Sequence, residues 1–428
     1  MTSAHDAPVE APVSTRRAWF MLVALTMLSV IGMTIVLPVM PFVVQQYLPH
    51  GDPSLAVWVG VLEGVNALCA FLAAPLLGGL SDRVGRRPII IVASFGAVAG
   101  YLVFGIGGAL WVLLLGRVLQ GITAGDMPAL FAYAADITPA KDRAKRFGLL
   151  GALNGIGFMV GPALGGLLAA VDVRLPVFAT AAVALLVAIL SIFLLTESLK
   201  PENRSSTLRL EELHPFRIIG DALRQPALRG ILLVFALLMI PFAFFTNNFS
   251  VLAIDTVGWD ATQVGLLVSV IGVLDIAIQG GLLALLLPRI GERRVILIGI
   301  VGQALGVVAL IALATVLAQP WVLILGVLML GGAQGLTQAP LDGLASNAVG
   351  DDEQGRLAGA LQAIGSGIQM IAPLVAGLMY AGIAPAAPYV LGLAFVIAAV
   401  VMFARLKPAS PALRNAEGMS DAPATIDA

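Results

Sequence analysis

Charge is what this sequence has least of. Only 11% of its 428 residues are Asp, Glu, Lys or Arg, against about 25% in an ordinary soluble chain. It has one cysteine, Cys69, and three histidines, His5, His50 and His214. A single cysteine excludes an internal disulfide and a cysteine-based metal cluster. The histidines fall in expected tails or loops, so no metal site is read from them. No GxxxxGK[ST] loop is present to hold a nucleotide phosphate, and no nucleophile–base pair points to an enzyme. No cofactor is expected.

What fills the chain instead is apolar. Hydrophobic residues make up 59% and the mean hydropathy is +0.98. Such a chain cannot clothe a water-facing globule. It can form helices of about twenty apolar residues, the length that crosses a bilayer core of roughly 30 Å. Twelve runs qualify: 18–42, 55–79, 88–108, 110–133, 147–170, 174–195, 229–253, 262–287, 295–317, 320–346, 357–381 and 386–405. The first, behind Arg16 and Arg17, is too long for a signal peptide and is read as a retained span. If the chain starts inside, twenty-two of the twenty-four basic residues fall in inner segments, which places both termini in the cytoplasm. Only Arg174 falls outside and only Arg117 within a span.

The expected organisation is an N-tail (1–17), a six-helix bundle (18–195), a cytoplasmic linker (196–228), a second six-helix bundle (229–405) and a C-tail (406–428). In the linker, Leu208, Leu210, Leu213, Phe216, Ile219 and Leu223 are spaced for an interfacial amphipathic helix, though a plain tether is the simpler reading. The bundles look like copies. Leu80–Arg87 aligns with Leu286–Arg293, Gln120–Thr123 with Gln334–Thr337, and Pro162 falls opposite Pro373. Parallel six-span repeats are a known transporter plan, with the substrate site between the halves near midplane.

Four motifs follow in order: LPVMP at 37–41, GGLSDRVGRRPI at 78–89, LLLGRVLQGITAG at 113–125 and GALNGIGFMVGPALGG at 151–166. Together they resemble the major facilitator superfamily, and within it the twelve-span drug:proton antiporters, most closely the tetracycline-efflux branch. The resemblance implies an all-α membrane protein of twelve transmembrane helices in two pseudo-symmetric bundles. It implies a proton-coupled antiporter that exports lipophilic drugs or other small molecules by alternating access. The alternative is a proton-coupled permease or importer on the same fold. The partners implied are a small lipophilic substrate, protons and the lipid bilayer of a bacterial inner membrane, with no nucleic acid, and the chain acts as a monomer. The tetracycline pumps carry acids in spans one, three and nine, where this sequence has Ser29, Gly100 and Gln303. Their span-eight histidine is Asp275 here. The drug- and metal-contacting pattern is therefore broken.

Intramembrane ionisable residues are costly and mark function by default. The proton-coupling candidates are Glu63, Arg117, Asp126, Asp275 and Asp342, each with a structural ion pair or polar clamp as its competing reading. Glu63 and Arg117 fall at similar depths, so they can pair. Asp126 points away from Arg117 on an ideal helix. Substrate-cavity candidates are Asn66, Gln120, Phe245, Asn248, Gln279, Gln334 and Gln338, with Gln334, Gln338 and Asp342 on one helical stripe. Gly151, Gly155, Gly161, Gly165 and Gly166 form a small-residue stripe that admits a neighbouring helix, and Pro162 bends it. The resemblance makes this helix a seal between the halves. Gly79, Asp82, Arg83, Gly85, Arg86 and Arg87 form a charged run that orients the chain. The resemblance adds a gating latch, with Asp82 meeting the start of span eleven near Leu357 and Arg86 bracing it, in one half only because Pro288 stands opposite Asp82.

Overall fold

Apolar runs of this length become helices because a backbone out of water must close its own hydrogen bonds. The computed structural model describes residues 15–139, 142–204, 215–350 and 353–406, and every long regular element among them is a helix. The first half contains α1 (Thr15–Val36), short α2 (Met40–Gln45), α3 (Ser54–Val84), α4 (Arg86–Ile106), α5 (Leu110–Ile122), α6 (Asp126–Asp136), α7 (Arg143–Ala169) and α8 (Leu175–Leu194). After α9 (Pro215–Arg224), the second half contains α10 (Pro226–Val257), α11 (Ala261–Ala277), α12 (Leu283–Ile290), α13 (Glu292–Thr315), α14 (Pro320–Ser346), α15 (Gln354–Gly382) and α16 (Ala387–Arg405). A π-helical turn at Ile278–Leu282 joins α11 to α12. Among the described residues, eleven helices are long and apolar enough to cross a bilayer, with Ala261–Ile290 counted as one.

The twelfth span departs from expectation. The run 110–133 is two helices, α5 and α6, broken at 123–125. Pro128 cannot donate to the Ala124 carbonyl, so it stands in the first turn of a new helix, where a missing N–H costs nothing. The Thr123 hydroxyl donates to the Leu119 carbonyl at 2.7 Å. Gly121 lies where a Cβ would meet the Asn66 carbonyl oxygen at 2.5 Å, so α3 presses on the break.

The internal repeat is visible in local chemistry. Gly85 and Gly291 end α3 and α12 with φ of 113° and 80°, backbone that glycine alone adopts readily. Two residues later, Arg87 donates to the Ser191 and Ile192 carbonyls at the end of α8. Its counterpart Arg293 donates to the Phe403, Ala404 and Leu406 carbonyls at the end of α16. Each arginine satisfies the orphan carbonyls of a helix C-terminus.

Of the linker, α9 packs Ile219, Ala222 and Leu223 on α10 and α15, around Leu232, Phe235 and Leu357. Leu208, Leu210 and Leu213 lie outside the described residues, as do positions 1–14 and 407–428 of the tails. Glu197, expected in a tether, belongs to the first bundle. Its carboxylate accepts from the backbone N–H of Arg86 at 2.8 Å and of Arg87 at 3.2 Å, which caps α4.

The halves meet along two seams, α3 with α15 and α7 with α11, at the end of the molecule remote from the chain termini. There the contacts are backbone on backbone. A Cβ on Gly60 would strike the Pro373 carbonyl oxygen, and one on Gly377 would strike the Ala56 carbonyl oxygen. On the other seam a Cβ on Gly265 would sit 2.5 Å from the Pro162 carbonyl oxygen, and one on Gly272 2.7 Å from Met159 backbone. Toward the termini the seams part. Gly78, Gly148, Gly151, Gly280, Gly281 and Gly365 have nothing within 4 Å of a Cβ. The largest core cluster spans both halves at the closed end and includes Val39, Leu62, Phe245 and Tyr389. The cores near the termini belong to one half each. The cleft between the halves therefore opens toward the side of the chain termini. A Gly60→Val variant wedges the closed seam, and overpacking of this kind costs about 1–3 kcal/mol. Distances between spin labels on α3 and α15 at the closed end should then lengthen or split into two populations.

Candidate functional site

Arg117 is held in the first half by a short helix and its neighbours. It is 6% exposed and sits one turn before Gln120 on α5. Its guanidinium pairs with the Glu63 carboxylate of α3, donates to Gln120 Oε1 at 2.9 Å and to Met40 Sδ at 2.9 Å, and lies 5.7 Å from the centre of the Phe104 ring. A guanidinium removed from water needs such partners. The structure thus brings Glu63 and Arg117 together. Glu63 keeps a third of its side chain exposed, so the carboxylate stands at the edge of the site and the arginine behind it.

Asp126 is elsewhere. With the helix broken before it, the ideal-helix projection no longer applies. Asp126 begins α6 and lines a cavity inside the first bundle, together with Ser29, Asn66, Tyr101 and Gln120. Gln120 therefore belongs to two places, bonded to Arg117 and lining this cavity. Gly100, opposite, could not hold an acid: a Cβ there would lie 2.6 Å from Gln120 Cγ and 2.9 Å from the Gly116 carbonyl oxygen.

The second half presents amides and carboxylates. Gln334 donates to Gln338 at 3.1 Å, and Gln338 donates to both oxygens of Asp342 at 3.2 Å. Gln303, fully buried on α13, donates to the Leu238 carbonyl at 3.3 Å and reaches Gln334 Oε1 at 3.5 Å. Across on α11, Asp275 accepts from Gln279 at 2.8 Å and lies against Gly335 of α14, where a Cβ would meet its carboxylate at 2.8 Å. The π turn at Ile278–Leu282 follows directly, and such turns collect at functional sites. Among the described residues neither Asp275 nor Asp342 has a cationic partner. Phe245 and Asn248 are 2% and 0% exposed, sealed into the core above the cleft, where both polar side-chain atoms of Asn248 lack partners.

The α7 glycines divide between two neighbours. Gly161 and Gly165 close on Thr34 and Ile35 of α1. Gly155, Pro162 and Gly166 face α11, where Thr262 donates to the Gly166 carbonyl at 2.9 Å. Gly151 opens into the cleft.

The charged run spans the end of α3, a one-residue break at Gly85 and the start of α4. At about 1.5 Å per residue, the 31 residues of α3 extend roughly 46 Å, past about 30 Å of hydrocarbon. Gly79 lies inside α3 and Arg83 is exposed in its last turn. Asp82, half exposed, pairs with Arg86 at 2.5 Å, and Arg86 also meets Asp136 of α6 at 3.1 Å. A Cβ on Gly85 would fall on the Glu197 carboxylate, so the motif glycine serves the α4 cap. Glu197 and Asp136 are residues the sequence reading missed. Their only signal is a lone acid just past each of two apolar helices.

Residues 22–369 and 244–426 match the Major Facilitator Superfamily. The chain belongs to this family. It is 34% identical over 405 residues to a tetracycline resistance protein, class C, of Escherichia coli, covering 94% of this chain and 98% of that protein. It is 27% identical over 352 residues to multidrug resistance protein 2 of Bacillus subtilis (strain 168), covering 82% and 85%. Among solved structures, a bacterial homologue of the human lysosomal transporter Spinster in an inward-facing, occupied conformation superposes with a TM-score of 0.71 at 15% identity, covering 93% of this chain and all of that one. The nucleoside transporter NupG superposes with a TM-score of 0.70 at 15% identity over 91% of this chain. These structures share the fold: two pseudo-symmetric bundles of six spans.

Removing one member of a buried ion pair leaves the other uncompensated, at about 3–5 kcal/mol. Arg117→Met should therefore lower the melting temperature in detergent. With Glu63 partly exposed the loss belongs at the lower end of that range. The double variant Arg117→Met with Glu63→Gln should recover most of it.

Proposed function

We propose that this protein exports lipophilic, positively charged small molecules from the cytoplasm of a bacterium in exchange for protons. The observation that carries this reading is a pair of acids in the second half, Asp275 and Asp342, which among the described residues are hydrogen-bonded only to glutamines. A carboxylate without a cation attracts one, and a proton and a cationic substrate compete for it. The near full-length likeness to tetracycline and multidrug resistance proteins supports the same reading. The basic residues gather at the end of the chain termini, and the positive-inside rule makes that end cytoplasmic in the inner membrane. The open cleft then faces the cytoplasm and the glycine seams close the outer side. The substrate path lies between the halves of one chain, so a monomer suffices.

In this scheme Glu63 or Asp275 takes a proton when the cleft opens outward and releases it inward. Substrate binding at the vacated carboxylate draws the halves together at the inner side. Asp82 stands at that inner edge, half exposed and held by Arg86, while the N-terminus of α15 has no side-chain cap. When the inner side closes, Asp82 reaches that positive helix end, a contact worth about 0.3–1 kcal/mol.

Vesicles carrying the protein and an imposed pH gradient test the direction. A lipophilic dye cation should move against the proton flow, and co-movement with protons would exclude export. Glu63→Gln and Asp275→Asn, made separately, should each be assayed in these vesicles. At least one must abolish coupling if the assignment holds. Asp82→Asn should leave insertion intact and slow turnover about two- to fivefold.

A further inference from the structure

Three glutamines and an aspartate form one hydrogen-bonded chain in the second half. Gly299, Gly302 and Gly306 bare one face of α13, so α14 comes close. A Cβ on Gly299 would lie 2.6 Å from Thr337 Cγ2, and one on Gly306 2.9 Å from the Leu330 backbone nitrogen. Gln303 stands in that face and thereby reaches Gln334. Gln334, Gln338 and Asp342 follow at four-residue spacing on α14, each about one turn from the next.

The chain has a direction, and a backbone group sets it. A carbonyl oxygen only accepts. That of Leu238 on α10 accepts from Gln303 Nε2 at 3.3 Å. The same nitrogen donates to Gln334 Oε1 at 3.5 Å, which leaves Gln334 Nε2 to donate to Gln338 Oε1 at 3.1 Å and Gln338 Nε2 to donate to Asp342 at 3.2 Å. Gln303 is fully buried and its Oε1 has no partner, yet turning the amide over would set that oxygen against the Leu238 carbonyl. Three amides therefore deliver an N–H to residue 342. An N–H suits an ionised carboxylate, whereas a protonated one needs an acceptor there. Burial opposes the charge of Asp342, and this donor works against that opposition. Asp275 differs. Its partner Gln279 is exposed and, among the described residues, its side chain bonds to nothing else. That amide is free to turn and offer its oxygen to a protonated acid.

We propose that Gln303 and Gln334 are positioning residues that hold Asp342 as an anion, so that Asp342 receives the positive charge of the substrate rather than the exchanged proton. This rests on the export reading above and divides its two acids between two tasks. The elements packed against α14 supply few other charges. Asp275 of α11 lies against Gly335, about two turns from Asp342. Glu292, Arg293 and Arg294 stand in the first turn of α13, with Arg293 spent on the end of α16. α10 carries Arg229 and Asp255 near its two ends. α15 carries Arg356, paired with Glu353, and Tyr380, which donates to Asp255. The π turn carries none.

Ethidium, a lipophilic cation, and purified full-length protein in weakly buffered detergent solution provide the test, with a pH indicator reading the protons released. Asp342→Asn should weaken ethidium binding about tenfold or more. At saturation it should still release as many protons per bound ethidium as wild type. Gln334→Met and Gln303→Met, close in shape to the native residues, should bind ethidium more weakly at neutral pH and match wild type at alkaline pH. A carboxyl that has lost its donor keeps its proton to higher pH, so the pH at which binding is half lost should move upward. A merely structural loss would weaken binding at every pH. Unchanged affinity or a lower proton count in Asp342→Asn overturns the inference, and so does an unmoved midpoint in whichever glutamine variant folds. Wild type that binds ethidium and releases no proton removes the exchange reading instead, while the affinity of Asp342→Asn still decides whether the acid receives the cation.

Discussion

Along two seams the halves of this protein touch through bare backbone, and that closeness governs what the rest of the chain can do. At Gly60, Gly377, Gly265 and Gly272 there is no room for even a methyl group. Contacts of this kind rest on dispersion and on weak Cα–H to carbonyl bonds rather than on interlocked side chains. Such contacts bring the paired helix axes close together, and the largest core cluster spans the halves at the same end. Packed interfaces have discrete arrangements rather than a continuum. With the seams closed at the end remote from the chain termini, the same helices splay at the other end, and the cleft follows from that geometry.

A second constraint is electrostatic. Among the described residues one guanidinium lies deep within a bundle, and its hydrogen-bond and ion-pair partners are Glu63 on α3, Met40 on α2 and Gln120 on α5. Gln120 also lines the cavity of the first bundle, so that cavity and the ion pair share one side chain. The crossing of α4 and α5 is too tight for a side chain at Gly100, while Asp126 reaches its cavity from the helix that restarts after the break.

Eleven of the twelve spans were legible from hydropathy alone, because twenty apolar residues between charged breaks leave a chain little choice. The break in the twelfth was not. Pro128 announced a disturbance, but whether a proline kinks a helix or restarts it depends on the neighbour pressing at Gly121. The pairing of Glu63 with Arg117 could be read from depth, since both positions count from span ends. The neighbourhood of Asp126 could not, since it depends on the break. The repeat was legible at Arg87 and Arg293, yet its purpose was hidden, because the carbonyls they bind lie about 110 residues away in each half. Glu197 escaped for the same reason: an acid in a polar linker looks like solvent-facing charge until α4 is seen ending beneath it.

The charged run at 82–87 gains its meaning from those distant partners. Arg86 joins Asp82 to Asp136, Ser198 donates to that same Asp136, and Glu197 holds the start of α4. Four elements of the first bundle, α3, α4, α6 and the segment after α8, are thereby tied at their ends on the side of the chain termini. In the second bundle Pro288 takes the place of Asp82, while Gly291 and Arg293 keep the roles of Gly85 and Arg87. The corresponding end of that bundle is braced by α9 against α10 and α15. One half therefore carries its brace within its own repeat and the other borrows it from the linker. Asp82 is the carboxylate of that network most open to solvent.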